Sequence, residues 1–222
     1  SVKETGDEAQ ILAKLNLPFY IDKNRVRAVK KLIKDHDCDV IVSDDGLQHY
    51  KMGRHVEIAV IDGKRRFGNN LTFPAGPLRE SKNRLSSVDF IVNNSGPTEE
   101  GEYLMNISPS KFVHLKSGKS YSIDKWPMHN QIHAVAGLGN PGRFFDLLDK
   151  LGFDSIRHPF PDHHNFLSSD IFYLDHLPIV MTEKDASKCK DFDNNKIWYL
   201  TIDADVTNKF IDKLDKRIKS IQ

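Results

Sequence analysis

The sequence predicts an α/β fold with mostly parallel strands. Two observations carry that prediction. Short β-branched runs of strand length alternate along the chain with segments whose apolar residues recur at helical spacing. The run Val40-Ile41-Val42-Ser43 then stops abruptly on Asp44-Asp45-Gly46 and a polar tip, Leu47-Gln48-His49-Tyr50. A buried parallel strand that ends on adjacent carboxylates has something at its carboxyl edge that wants negative charge, and a phosphate-bound Mg²⁺ is the commonest such group.

Taken in order, residues 7–15 predict a helix with Asp7 and Glu8 in its first turn, where acids suit the helix dipole. Arg25 to Lys34 is amphipathic, with Val26, Val29, Leu32 and Ile33 on one face. Strands are expected at 39–43, 56–62 and 88–93. The stretch 102–124, whose short apolar runs are broken by Pro109 and by Lys116-Ser117-Gly118-Lys119, predicts antiparallel hairpin structure. Further strands are expected at 132–136, 178–181 and 197–202, and helices at 142–151, 183–189 and 207–220. The loop Gly63-Lys64-Arg65-Arg66-Phe67-Gly68-Asn69-Asn70 suggests a domain change after the 56–62 strand. The expected division is therefore 1–62, 63–205, and a helix at 206–222 that packs back on the first part.

With 32 basic and 31 acidic residues among 222, the chain has no global field to attract nucleic acid or anionic lipid. Cys38 and Cys189 stand far apart without a CxxC partner, which argues against a disulfide framework or zinc finger. No apolar run approaches the roughly 18 residues that cross a bilayer. The chain opens on Ser1 and runs at once into motif-like residues, so it is expected to be a piece of something longer.

Several constellations carry chemistry, each with a plainer alternative. Asp44-Asp45-Gly46 is either an Asp-Gly turn or a Walker-B-like edge, one carboxylate holding Mg²⁺ and the other orienting a neighbour. Gly6-Asp7-Glu8 suits a helix cap or a catalytic acid. The cluster His158-Pro159-Phe160-Pro161-Asp162-His163-His164 suits a metal ligand set, an acid–base histidine, or a solvated loop. Zinc is disfavoured because no further ligand pair has helical i, i+4 spacing. Ala75-Gly76-Pro77-Leu78-Arg79-Glu80 delivers an Arg and a Glu toward a helix start, to bind phosphate or to form a surface ion pair. Thr182-Glu183-Lys184-Asp185 opens a helix as an N-cap with acids in the first turn. Gly137-Leu138-Gly139-Asn140-Pro141-Gly142 matches a dinucleotide fingerprint between strand and helix. However, the ribose-binding acid that should follow about 20 residues later is replaced by a proline-broken loop, and Pro141 removes a phosphate-facing donor.

In this order, Gly-Asp-Glu, Asp-Asp-Gly-Leu-Gln-His, Pro-Ala-Gly-Pro-Leu-Arg-Glu, Gly-Leu-Gly-Asn-Pro-Gly-Arg-Phe-Phe, Asp-His-His and Thr-Glu-Lys-Asp closely resemble the tetraacyldisaccharide 4′-kinases, the lipid A 4′-kinases of Gram-negative bacteria. The resemblance implies a P-loop NTPase-like fold in two lobes. It also implies transfer of the ATP γ-phosphate to the 4′-hydroxyl of tetraacyldisaccharide 1-phosphate, giving lipid IVA. By the same resemblance Asp7 acts as, or orients, the base for the attacking hydroxyl, and His163 is its partner. Asp44 and Asp45 correspond to the Mg²⁺-associated carboxylates. Gln48, His49, Arg79 and Glu80 correspond to polar positions where ATP and the sugar phosphate meet, with Arg25 a looser candidate.

The implied partners are ATP, the lipid A disaccharide precursor and, through an upstream segment, the cytoplasmic face of the inner membrane; nucleic acid is not among them. The family's Walker A loop, G-x-x-x-x-G-K-[ST], has no counterpart in the 222 residues, since Lys116-Ser117-Gly118-Lys119-Ser120 lacks the upstream glycine. The chain is accordingly expected to be the carboxyl two-thirds of such a kinase and to be inactive by itself. The rival readings are a non-catalytic module binding anionic sugars or nucleotides, and an NAD-dependent oxidoreductase built on Gly137 to Gly142.

Overall fold

The computed structural model describes residues 15–221; the helix expected over 7–15, with Gly6-Asp7-Glu8, lies outside the described residues except for Leu15. In chain order the elements are α1 (Arg25–Asp35), β1 (Ile58–Asp62), β2 (Phe90–Asn94), β3 (Glu102–His114), β4 (Ser120–Ser122), β5 (Gln131–Ala136), α2 (Gly142–Lys150), β6 (Asp154–Pro159), β7 (Ile179–Thr182), α3 (Glu183–Ser187), β8 (Ile197–Val206) and α4 (Asn208–Lys219). They form two compact units, which divide at residues 21/22, within β3 at 108/109 and within β8 at 202/203, the segment before residue 22 grouping with 109–202.

The unit of residues 22–108 and 203–222 contains α1, whose N-cap Asn24 accepts the Arg27 N–H at 3.1 Å. Residues 39–43, expected as a strand, are irregular, and Val42 is 89% exposed. A strand draws its backbone hydrogen bonds from a neighbour, and among the described residues no segment pairs with this run. The parallel ladder here is β1 beside β2, Ile58 opposite Phe90, and β2 beside the first part of β3, Ile91 opposite Glu102. Because β1 pairs with β2, the chain after Gly63 stays in this unit, and the division falls after residue 108 instead of after 62 as expected. Helix α4 lays Phe210 edge-on against Phe90 (centroids 5.6 Å) and beside Tyr103, and Arg217 ties it to Asp89 at 3.1 Å.

In the unit of residues 109–202, β5 lies between β6 and β7, with β8 beyond β7, all parallel. The sheet is covered on both faces, so β5 and β7 are apolar nearly throughout. Ile132, Ala134, Ala136 and Val180 pack with Phe144, Phe145 and Leu148 of α2, while Val135, Ile179 and Met181 pack with Phe166 and Ile171 on the other side. Strand β3 ends here, pairing antiparallel with the short β4, Phe112 opposite Tyr121. The expected hairpin is therefore only the later part of 102–124, since the start of β3 is parallel to β2. Strand β6 was not anticipated. The chain leaves β5 for β6 on one side and returns to β7 on the other, a change of direction at whose carboxyl edge open α/β sheets place ligands.

Candidate functional site

In the first unit, the turn at Asp44-Asp45-Gly46 is braced by the chain that follows it. Asp45 sits in the left-handed region (φ 48°), which Asp tolerates, and the His49 N–H closes the next turn on the Gly46 carbonyl at 3.0 Å. The Arg54 guanidinium donates to the Gly46 and Leu47 carbonyls at 2.8 and 3.1 Å while its Nε pairs with Glu57. Both carboxylates are thereby held at the surface.

Arg79 reaches across this turn: its Nη1 lies 2.7 Å from each Asp45 oxygen and 3.5 Å from Gln48 Oε1. The two side chains are 67% and 60% exposed, so the pair is worth at most about 1 kcal/mol. Glu80 turns the other way. It accepts from Gln48 Nε2 at 2.7 Å and from the Tyr50 hydroxyl, and Arg84 stands 3.6 Å off. The Tyr50 and Gln48 donors hold its pKa below the usual carboxylate range despite partial burial, so Glu80 remains an anion. Arg84 in turn grips both oxygens of Glu57 at 2.6 and 2.7 Å and keeps that carboxylate ionised as well. Beyond Glu80 the chain forms a 3-10 turn, Lys82–Ser87, capped by Ser81.

The structure thus joins Asp45, Gln48, Arg79 and Glu80 in one network, with Asp44 exposed beside them and His49 half-buried. Arg25, at the start of α1, makes no hydrogen bond or ion pair with this network among the described residues. Its Nη1 donates to Asp22 O at 3.4 Å, and its buried Nε has no partner. Asp7 lies outside the described residues.

In the second unit the segment 158–164 separates into two environments. His158 belongs to β6, where its Nε2 meets Nδ1 of the buried His133 at 2.9 Å; the far nitrogen of His133 meets Asp175 at 2.9 Å, and Tyr173 stacks on both rings. Burial and the neighbouring His133 push the His158 pKa down. His163 sits on the exposed loop beyond, again left-handed (φ 58°), its N–H donating to Asp162 Oδ1 at 3.0 Å. His164 turns to Asp170 at 3.0 Å. A metal set drawn from this cluster is not formed: among the described residues no three His, Cys, Asp or Glu side chains could hold an ion.

The glycine turn after β5 does not suit a dinucleotide. The Gly137 N–H is given to Asp185 at 2.9 Å, so a buried carboxylate stands where a pyrophosphate would need donors. Thr182 does cap α3, accepting the Asp185 N–H at 3.2 Å. Sequence reasoning missed Arg54, Tyr50 and Arg84, which brace the acidic turn and Glu80, and it missed the buried role of Asp185. Only the Thr182 cap signalled that Asp185 was locally engaged.

Comparison with known proteins extends these observations. Residues 1–219 match the family described as LpxK, tetraacyldisaccharide-1-P 4′-kinase. A tetraacyldisaccharide 4′-kinase of Ruthia magnifica subsp. Calyptogena magnifica is 46% identical over 215 residues, covering 96% of this chain and 68% of its own. One from Legionella pneumophila (strain Corby) is 44% identical over 211 residues, covering 95% and 64%. The chain therefore spans about two thirds of the length of these relatives. The crystal structure of "apo" form LpxK from Aquifex aeolicus in complex with ATP shares the fold, with a TM-score of 0.78 at 24% identity over 98% of this chain and 70% of that one. With a family match over nearly its whole length and relatives above 40% identity, the chain belongs to the tetraacyldisaccharide-1-P 4′-kinase (LpxK) family.

Proposed function

We propose that the full-length protein transfers the γ-phosphate of ATP to the 4′-hydroxyl of tetraacyldisaccharide 1-phosphate, giving lipid IVA. The observation that carries this reading is the braced turn, with two exposed carboxylates fixed from behind by Arg54 and a loosely paired Arg79 across them. Phosphoryl transfer depends on charge neutralisation and alignment more than on covalent chemistry.

Asp44 and Asp45 offer the oxygen donors that Mg²⁺ prefers, and two carboxylates suffice because this ion keeps waters and substrate phosphates in its shell. When bound there, Mg²⁺ supplies charge neutralisation on the nucleotide phosphates. Arg79 exchanges its Asp45 partner for a phosphate oxygen, to which its planar fork is suited. Gln48, held by the ionised Glu80, orients Arg79 for that exchange. His49 and Arg25 contribute further polar groups for ATP and the sugar phosphate, Arg25 through a buried Nε that has no partner in the described structure. Asp7 and His163 handle the proton of the attacking hydroxyl as the new bond forms.

The 222 residues contain no G-x-x-x-x-G-K-[ST] loop, and in our reading they do not turn over ATP without it. No helix among the described residues is long and apolar enough to cross a membrane. Because the substrate carries four acyl chains, we place the reaction at the cytoplasmic face of the inner membrane, with peripheral contact through upstream sequence.

The test is 4′-kinase activity on tetraacyldisaccharide 1-phosphate with Mg-ATP, for the 222-residue chain and the full-length protein, each with and without Asp7→Ala. Turnover confined to the full-length, Asp7-intact form is the expected result. No turnover in any form refutes the kinase reading, and saturable binding of ATP under the same conditions then favours a non-catalytic module.

A further inference from the structure

The glycine turn after β5 and the start of α3 have no part in the chemistry above, yet both are tied to the loop that carries His163. Asp185 is fully buried. Its carboxylate accepts the Gly137 N–H at 2.9 Å and the Thr182 hydroxyl at 2.8 Å, and it pairs with the Lys188 ammonium at 3.3 Å. Lys188, only 7% exposed, also donates to the His164 carbonyl at 3.2 Å. From the solvent side Lys184 lies 3.7 Å from Asp162 Oδ1, the oxygen that accepts the His163 N–H. Both neighbours of His163 are therefore connected to charged residues in or just after α3.

The packing is tight enough to transmit position. A Cβ on Gly137 would fall 3.2 Å from Asp185 Oδ1 and 3.3 Å from the Pro161 carbonyl, so the two loops pack directly against each other and against that carboxylate. His163 itself is 71% exposed on a left-handed backbone, its Nε2 3.8 Å from Asp162 Oδ2. A buried carboxylate–ammonium pair loses hydration that an apolar pair would not, so stability alone does not favour it; directed hydrogen bonds to two loops are what the charges add.

We propose that Asp185, with Lys188 and Lys184, is a positioning device that fixes the backbone on either side of His163 and so sets how its imidazole is presented for the proton handling it shares with Asp7. This rests on the reading of His163 as a proton-handling residue.

The experiment measures kcat and KM for Mg-ATP in the full-length protein for wild type, Asp185→Asn, His163→Ala and the double variant, with melting temperatures alongside. Expected is a loss of about 10- to 100-fold in kcat for Asp185→Asn, the range seen when a supporting residue of a functional group is removed, with KM within about twofold. In the His163→Ala background the same change should move kcat by less than about twofold, because the group being positioned is gone. An equal loss in both backgrounds, or none in the wild-type background, overturns the proposal. An unchanged kcat for His163→Ala by itself removes the reading of His163, and the proposal with it. If Asp185→Asn does not fold, Lys184→Met decides, since it cuts only the tie to Asp162. A drop of about threefold or more that vanishes in the His163→Ala background supports the proposal, and any other pattern overturns it.

Discussion

Replacing Glu102 by Gln should expose how much of the first unit's stability resides in one charged group. The Glu102 side chain is 5% exposed and accepts from Arg66 at 2.8 and 2.9 Å, from Asn93 Nδ2 at 2.7 Å and from the Glu99 N–H at 2.9 Å. With the Arg66 hydrogen bonds as the largest cause, its pKa falls from 4.5 to about 2. A drop of that size corresponds to roughly 3 kcal/mol favouring the folded state when the group is ionised. Removing one partner of a buried pair costs about 3–5 kcal/mol, but Arg66 keeps Glu99 at 2.8 Å and is partly exposed, so we expect a loss of about 2–3 kcal/mol at pH 7. The sign follows from the direction of the shift. A carboxylate with a depressed folded-state pKa stabilises fully above its unfolded value near 4.5, and that contribution disappears as pH falls toward about 2. Urea denaturation at intervals from pH 7 to pH 2 reads both quantities: wild type and Glu102→Gln should differ at neutral pH and converge across that acid window. A difference below about 0.5 kcal/mol at pH 7, or one that does not shrink between pH 4.5 and 2, would refute the reasoning.

Two further outcomes are expected. Arg54→Met removes the donors to Gly46 and Leu47 while Glu57 keeps Arg84, so stability should fall by about 1–2 kcal/mol, and the amides of His49 and Met52, bonded within the turn, should exchange faster; unchanged exchange would mean that the acidic turn stands without Arg54. Burial, reinforced by Asp185, pushes the Cys189 thiol up to about 12, so at pH 8 Ellman's reagent should find Cys38 in the native protein and Cys189 only after unfolding, whereas two native thiols reacting at similar rates would contradict the buried placement.

Much of the fold was legible because its signals are local. The apolar runs of β5 and β7, the helical spacing in α1 and α4 and the Thr182 cap are each read within a few residues of sequence. Strand β6 escaped notice because it lies on the far side of β5 from β7, alternates weakly between exposed and half-buried positions and ends on Pro159, which an edge strand tolerates. The run at 39–43 failed in the opposite sense: its composition is that of a strand, but among the described residues it has no neighbour to pair with. The domain boundary failed because a polar loop after β1 looks the same whether the chain leaves the sheet or returns to it. Around the acidic turn, the residue types were visible at Asp44, Asp45, Gln48 and Arg79. Their partners were not.

By itself the sequence determined the family, through several motifs in one order, and the α/β class, through periodicities that follow from backbone geometry. Tertiary structure decided the pairings. Asp45 faces Arg79, Glu102 faces Arg66, and Asp185 caps a glycine turn that lies 48 positions away in the chain. Such contacts depend on which strands become neighbours and in what register, and burial then fixes which charges must find partners. Neither condition is written in the spacing of nearby residues.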